Sequence, residues 1–344
     1  MTNPLLRRGL RAVAVAAAAT LALAGCQAGA GEPGGSAPAG PPITIGLTYT
    51  PNVQFAPFYV ADELGYFDEA GVAVELRHHG ESESLFGALE AGTEQLVYGG
   101  GDEIVQAVAG EVPITSVATI YTTYPAVLIV PADSPIQTAA DLAGHSVGTP
   151  GPYGQTWFAL QALLDRAGLS ASDVDVQHIG YTQQAALSSG KVDAVMGFSN
   201  NDAIQFEANG FPVRVIDAVD PAAPTLVGPA LGASTTLVTE RADDVTAILD
   251  ALERAIEYVS ANPAETIDIA AKYIPTLTTA DAKAAALATL EATIPLMKAE
   301  TGQQLLFNDP TVWESMCEFM PRAGLIEKQV DCAATFTNDL LPKK

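Results

Sequence analysis

The chain has 344 residues and a formal net charge of −24, from 40 Asp and Glu against 16 Lys and Arg. So acidic a balance excludes nucleic acid as a partner, because phosphates are neutralised by Lys and Arg. Beyond solubility it indicates little more, and the length suits about two domains.

Arg7, Arg8 and Arg11 open the chain, and Ala12 to Ala24 is apolar apart from Thr20. That run is too short to span a bilayer. It ends in Leu23-Ala24-Gly25-Cys26 and resembles a bacterial lipoprotein signal, in which the cysteine is exposed by cleavage and then lipidated. An ordinary secretory signal with a chance cysteine is the alternative. With residues 1–25 removed, 319 of the 344 residues remain and the charge moves from −24 to −27, since the segment holds three arginines and no acid. Lipidation of Cys26 would hold the protein at a membrane surface. Residues 26–42 then read as a flexible tether, CQAGAGEPGGSAPAGPP, with no apolar pattern able to build a core.

The folded part begins at Ile43, where Ile43, Ile45, Leu47 and Tyr49 alternate as one face of a strand. Pro57 opens a helix to about Leu64, as proline suits a first helical turn. Strands are expected at Val72–Leu76, Gln95–Tyr98, Pro113–Ile120 and Val127–Val130, with helices at Ser82–Ala91 and Asp102–Ala109. The alternation restarts with strands at Ser146–Gly148, Val174–Ile179, Ala194–Phe198 and Val213–Ile216. Helices lie between them at Thr156–Ala167, Gln183–Ser189 and Asp202–Asn209. Thr235–Val238 reads as a strand returning to the first unit, and helices follow at Asp243–Ser260, Ala264–Tyr273, Ala280–Met297 and Val312–Met320.

Strands alternating with helices imply an α/β fold with parallel-rich sheets covered on both faces. Two lobes follow: residues 43–130 completed by 235–344, and residues 131–234. Two chain crossings between them make a hinge, and a hinged cleft closes around a ligand. Cys317 and Cys332 are expected to bridge, since disulfides persist in exported proteins; two unpaired buried thiols are the alternative.

Ligands of open α/β sheets bind beyond the carboxyl ends of the strands. Five loops lie there. Thr50–Phe55 brings Asn52, Gln54 and Phe55 beside Tyr49, although Pro51-Asn52 is also a plain turn. His78–Ser84 contains Glu81 and serines that suit a helix cap. Tyr98–Glu103, YGGGDE, brings glycines that admit a ligand to the backbone and Asp102, a cap or an acceptor. Gly148–Thr156 presents Tyr153, and Gly197–Asp202 presents Asn200 and Asn201. Amides and aromatic rings, instead of lysines and arginines, suit a neutral, flat, hydrogen-bonding ligand. Arg77 and Lys191 are the nearby cations that an anion such as a sulfonate would require.

Other chemistry finds no motif. His78, His79, His145 and His178 lack metal-ligand spacing. No nucleophile elbow or Walker loop occurs, and Gly99–Gly101 is too short for a dinucleotide fingerprint. No metal and no cofactor are expected.

The stretch PNVQFAPFYVADELGYFDEAGV, from Pro51 to Val72, resembles the opening of the solute-binding proteins related to thiamine-pyrimidine synthase. PITSVA from Pro113, DLAGHSVG from Asp141, GKVDA from Gly190 and VSANP from Val259 extend the resemblance to about Tyr273. It implies a two-lobed periplasmic-binding-protein fold of type II. Most members of that family deliver a substrate to an ABC importer; fungal members are suicide enzymes that make the thiamine pyrimidine. Where those enzymes carry a cofactor-binding Lys and a His, this chain has Gly99 and Glu103. Where they carry a cysteine-rich iron site, it has LVGPALGAS, Leu226 to Ser234. The resemblance therefore implies a binding protein and not an enzyme.

Binders of the thiamine pyrimidine usually have a Trp near Tyr49 and a His near Phe55; both differ here, and PNVQFAPFYVA resembles members associated with riboflavin uptake. A three-ring flavin needs stacking surface, which Tyr49, Phe55 and Tyr153 supply. The implied partners are a heteroaromatic vitamin or precursor, an ABC permease with its cytoplasmic ATPase, and the membrane through a lipid anchor on the extracytoplasmic face. A pyrimidine precursor, a sulfonate-type anion, an enzyme acting on a pyrimidine, and a sensory or structural lipoprotein with an empty cleft are the alternatives.

Overall fold

The computed structural model describes residues 40–80, 83–299 and 302–343. Residues 1–25, Cys26, most of the tether and Glu81 lie outside the described residues.

Ten strands are present among the described residues: β1 (Ile43–Leu47), β2 (Val74–His78), β3 (Leu96–Gly100), β4 (Ile114–Thr119), β5 (Ala126–Pro131), β6 (Ser146–Thr149), β7 (Asp175–His178), β8 (Ala194–Phe198), β9 (Val213–Asp217) and β10 (Pro229–Ser234). The helices that bear on the site or its frame are α1 (Ala56–Glu63), α2 (Tyr66–Glu69), α3 (Gly87–Glu90), α4 (Gly101–Ala109), α5 (Gly154–Ala167), α6 (Gln183–Ser188), α7 (Asp202–Ala208), α8 (Thr235–Glu240) and α9 (Ala242–Ala261). They are followed by α10 (Pro263–Ala270), α11 (Ala280–Thr293) and α12 (Pro310–Arg322).

Two five-stranded sheets result, in the orders β2-β1-β3-β10-β4 and β7-β6-β8-β5-β9. In each, four strands run one way and one, β10 or β5, runs against them. The reversed strand is in both cases the first one the chain makes after passing from one sheet to the other. The sheets are therefore mixed, and helices flank them as in the two-lobed fold of type II.

Local sequence explains the elements. Ile43, Ile45 and Leu47 are fully buried, as the alternation required. Residues Ala56 to Ala61 are buried all round α1, the pattern of a core helix. Asn52 caps a short 3-10 turn at Val53–Phe55 by accepting from Gln54 N at 3.1 Å. Gly168, at φ 67°, ends α5 in the left-handed conformation that glycine tolerates.

Two expectations are corrected. Thr235–Val238 is the start of helix α8, because Ser234 accepts from Leu237 N at 3.2 Å and caps it; the returning strand is β10, PALGAS. Small residues belong in β10 because it is crowded on both sides: a Cβ on Gly232 would lie 2.6 Å from Ile114 Cδ1. Second, Val127–Val130 pairs with β8 and β9, so it belongs to the second sheet and not the first. The chain passes between the sheets at residues 120–125 and 218–228, earlier at both places than hydrophobic runs alone suggested.

The C-terminal segment is strapped to the edge of β4. Ser116 N donates to Thr335 O and Thr337 N donates to Ser116 O, both at 2.8 Å. Cys317 of α12 and Cys332 are joined by a disulfide with Cα atoms 5.9 Å apart. Trp313 stacks on Phe336 with ring centroids 5.3 Å apart. No described helix is long and apolar enough to cross a membrane.

Candidate functional site

In each sheet the strand order reverses around one strand, β1 in the first and β6 in the second. The loops leaving β1, β3, β6 and β8 are therefore at the switch points where such sheets open a crevice. They are residues 48–52, the direct β3–α4 junction at 100–101, and residues 150–153 and 199–201. The loop leaving β7, which holds Tyr181, joins them.

Tyr49, just past β1, has φ 129°, a value that side-chain-bearing residues rarely adopt. His78 holds it: His78 Nδ1 lies 3.2 Å from Tyr49 O, and His78 Nε2 lies 2.9 Å from Tyr59 Oη. Burial pushes the His78 imidazole below its ordinary pKa. The neutral ring then donates through Nδ1 and accepts through Nε2. Such backbone strain costs about 1–3 kcal/mol and persists where surrounding structure over-determines it. Here it aims the Tyr49 ring across to the second sheet, where Tyr181 sits 6.1 Å away, centroid to centroid.

Tyr181 and Tyr153 are the large rings left most open, at 58% and 52%. The Tyr181 phenol is raised above its ordinary pKa, first by burial, then by Tyr153, with smaller contributions from Tyr49 and Glu103. These four side chains thus gather at one place, two from each sheet.

Glu103 lies at the start of α4. Its Oε2 accepts from Gly100 N at 2.7 Å, and a Cβ placed on Gly154 would lie 3.5 Å from its Oε1. Burial raises the Glu103 carboxyl above its usual range. The next contact inward is closer still: a Cβ on Gly100 would fall 2.9 Å from Gln155 Cγ. Glycine at 100 lets the second half approach the first.

Deeper lies a set of polar groups in apolar surroundings. Phe55 is fully buried, with its ring 5.6 Å from Tyr98 and 5.3 Å from His78. Asn200, 2% exposed, donates from Nδ2 to Thr293 Oγ1 at 2.8 Å, and so reaches from the end of β8 to α11. Helix α11 touches both α7 and the 3-10 turn at Val53–Phe55, and therefore contacts both halves. The Tyr121 hydroxyl is buried here among the side chains of Tyr98, Thr293 and Asn200, with which it interacts.

The sequence-selected residues divide accordingly. Tyr49 and Tyr153 gather with Tyr181 and Glu103 between the sheets, and Asn200 is buried against Thr293. Asn52 spends its acceptor on the Gln54 backbone, and Gln54 stays half-buried beside it. Phe55 is core beneath the site instead of an open stacking face. Asp102 is displaced from the role of ligand acceptor: it is fully buried, Oδ1 accepts from Glu103 N at 2.8 Å, and Oδ2 lies 2.6 Å from Tyr124 Oη. Asn201 accepts from Gln205 at 2.7 Å on α7. Arg77 is engaged by Glu83 and by the buried Glu94, which also meets His79 at 3.0 Å. Lys191 is exposed in the bend between α6 and β8. Sequence reading missed Tyr181, Glu103, Gln155, Tyr98 and Tyr121. Tyr181 obeys the same rule as the others, an aromatic ring just past a strand's carboxyl end; Tyr98 and Tyr121 looked like core residues. Among the described residues no cluster of His, Cys, Asp or Glu suits a metal ion. A surface recess of about 500 Å³ at Ile256, Ser260, Met297 and Leu305 shares none of the site residues and lacks a converging polar set.

Comparison with known proteins sets this geometry in a family. Residues 52–266 match the family described as NMT1/THI5 like. The chain is 31% identical over 304 residues to the riboflavin-binding protein RibY of Chloroflexus aurantiacus, covering 87% of this chain and 86% of that one. It is 24% identical over 229 residues to the formylaminopyrimidine-binding protein of Halalkalibacterium halodurans, covering 66% and 69%. In fold it is similar to the periplasmic aliphatic sulphonate binding protein SsuA from Escherichia coli, with a TM-score of 0.69 at 17% identity over 88% of this chain and 99% of that one.

Proposed function

The chain belongs to the NMT1/THI5-like family, and on that premise we propose that it is an extracytoplasmic solute-binding lipoprotein of an ABC importer, carrying riboflavin to the permease. Cys26 is the lipid attachment point in this reading, and the cytoplasmic ATPase partner supplies the energy. The protein itself performs no chemistry and uses no cofactor.

The observation that carries the reading is the convergence of Tyr49 with Tyr181 from the other sheet, at loops that leave the switch-point side of both. Tyr49, Tyr153 and Tyr181 supply flat apolar faces for a ring system. Glu103, Gln155 and Asn200 supply polar edges. Gln54, Asn201 and Glu81 complete the proposed set from the same loops. A neutral ligand is favoured over a sulfonate, because Arg77 is held by two glutamates and Lys191 lies in the bend that precedes β8. The similarity to RibY favours riboflavin over a pyrimidine precursor.

A thermal-shift panel on the purified chain, with riboflavin, thiamine, 4-amino-5-hydroxymethyl-2-methylpyrimidine and taurine, tests this. A ligand that binds only the folded state raises the melting temperature. Stabilisation by riboflavin supports the reading; stabilisation by taurine alone defeats it. Mass spectrometry of the membrane fraction checks for lipid on Cys26.

A further inference from the structure

The first passage between the sheets carries two tyrosines, and each hydroxyl meets both halves of the protein. The backbone of Tyr121 belongs to the first half: its N–H donates to Pro229 O, at the start of β10, at 3.0 Å. Its hydroxyl hydrogen-bonds with Tyr98 of β3 and Thr293 of α11, and also with Asn200, which follows β8 of the second sheet. Tyr124 stands at the other end of the passage. It precedes Pro125, whose carbonyl accepts from Ser199 N of the second half at 2.9 Å. The Tyr124 hydroxyl lies 2.6 Å from Asp102 Oδ2 of α4 and 2.9 Å from Gln155 O of α5. Tyr98, Asp102, Tyr121, Tyr124, Asn200 and Thr293 are all buried.

A direct bond between the halves completes the set. Thr293 Oγ1 donates its proton to Thr289 O at 2.8 Å, so toward Asn200 it accepts. Asn200 Nδ2 donates to it at 2.8 Å. The second half is thus tied at two places. Asn200, from the loop after β8, is held by Thr293 and Tyr121. Gln155, from the start of α5, is held by Tyr124. Both ties come from loops that also bring the second half to the tyrosine cluster.

We propose that Tyr121 and Tyr124 are positioning residues, whose hydroxyls fasten the second half to the first and so keep Tyr153 and Tyr181 opposite Tyr49 around a bound solute. The proposal rests on the solute-binding reading above. A solute enters a hinged cleft only when the halves part. Parting breaks the bonds from Asn200 to Thr293 and Tyr121, and draws Tyr124 away from either Asp102 or Gln155. These groups are buried, and a buried polar group that loses its partner is costly. Closing restores every bond. None of them needs the solute, so they favour the closed arrangement whatever the solute is. Any such bias raises apparent affinity, and it acts chiefly by slowing release.

The test pairs stopped-flow release of riboflavin with small-angle X-ray scattering of the ligand-free purified chain, for the wild type and for Y121F, Y124F and T293V. Thr293→Val keeps the side-chain shape and removes the acceptor that Asn200 uses. The expected result is release roughly threefold to tenfold faster in each variant, the worth of one hydrogen bond. Association should be equal or faster, and the radius of gyration of the ligand-free variants larger. Faster release or a larger radius in folded variants supports the proposal. A side chain that served only the fold would lower the melting temperature and leave both readouts at their wild-type values; that result in all three variants overturns the proposal while the solute-binding reading stands. If the wild type binds no riboflavin, the ligand reading fails and scattering alone decides: larger radii support the fastening role and equal radii overturn it. T293V leaves both tyrosines intact, so the comparison survives poor folding of a phenylalanine variant.

Discussion

Tyr124 Oη lies 2.6 Å from Asp102 Oδ2 and 2.9 Å from the Gln155 carbonyl oxygen, so one hydroxyl links the start of α4 to the start of α5. It has a single proton and two acceptors. The conflict resolves if Asp102 is neutral, donating to Tyr124 while Tyr124 donates to Gln155. Burial raises the Asp102 carboxyl well above the usual carboxylate range, and the charge of Glu103 adds to the effect.

This pairing makes stability depend on pH in a definite direction. Below pH about 4 the carboxyl is neutral in both folded and unfolded chains. Above that the unfolded carboxyl ionises while the buried one keeps its proton, so stability falls as pH rises toward the folded pKa. Asp102→Asn mimics the neutral carboxyl and does not titrate. Its melting temperature should exceed that of the wild type by an amount that grows from pH 4 to pH 8, at about 2–4 °C per 1 kcal/mol. A constant difference across that range would mean that Asp102 is ionised in the fold.

At Gly100 the two halves approach closely. A methyl group there would fall 2.2 Å from Asp102 Oδ1 and 2.9 Å from both Gln155 Cγ and Glu103 Oε2. Gly100→Ala should cost about 1–3 kcal/mol of stability through overpacking and should weaken ligand binding, because the sheets cannot approach. Melting and titration of the same variant check both. A variant that melts and binds like the wild type would show that the gap does not close this far in solution.

Tyr181 separates affinity from stability. It is more than half exposed and its ring faces Tyr49. Tyr181→Ala should change folding stability by no more than about 0.5 kcal/mol, while ligand affinity drops roughly 2- to 10-fold as a stacking face is lost. Equal affinity in the variant would remove Tyr181 from the site.

The bond between Cys317 and Cys332 closes a loop with a sequence separation of 15. Restricting an unfolded loop of that size is worth about 3 kcal/mol. Melting in the presence of dithiothreitol, or of the Cys317→Ser and Cys332→Ser double variant, should fall accordingly. An unchanged melting temperature would assign the stability of that segment to Trp313, Phe336 and the strap on β4 instead.

Much of the architecture was legible because strand alternation and turn chemistry are local. Ile43 to Leu47, Pro57 and the loops after β1, β3, β6 and β8 all announce themselves in short windows. The stretch from Pro51 to Val72 carried the family. What escaped depended on partners distant in sequence. PALGAS looks too small for a central strand until Ile114 is set against Gly232. TTLV has a strand composition until the Ser234 cap turns it into α8. Asp102 and Glu103 are adjacent acids in the same loop, and only the position of Tyr124 decides which is buried and which faces Tyr181. Tyr98 and Tyr121 have the pattern of core residues; that their hydroxyls meet each other, Asn200 and Thr293 appears only in the fold.

The placement of β10 between β3 and β4 sets an order of assembly. The second sheet uses the continuous run 126–217 and needs nothing made later. The first sheet lacks an inner strand until residue 234 has left the machinery that makes or exports the chain. Until then β3 and β4 have bare edges toward each other, the kind of surface that invites foreign strands. Residues 229–234 are thus the late inner strand that joins β3 to β4, and damage to that small glycine-bearing segment would reveal itself as aggregation during biogenesis before it appeared as any defect in the finished protein.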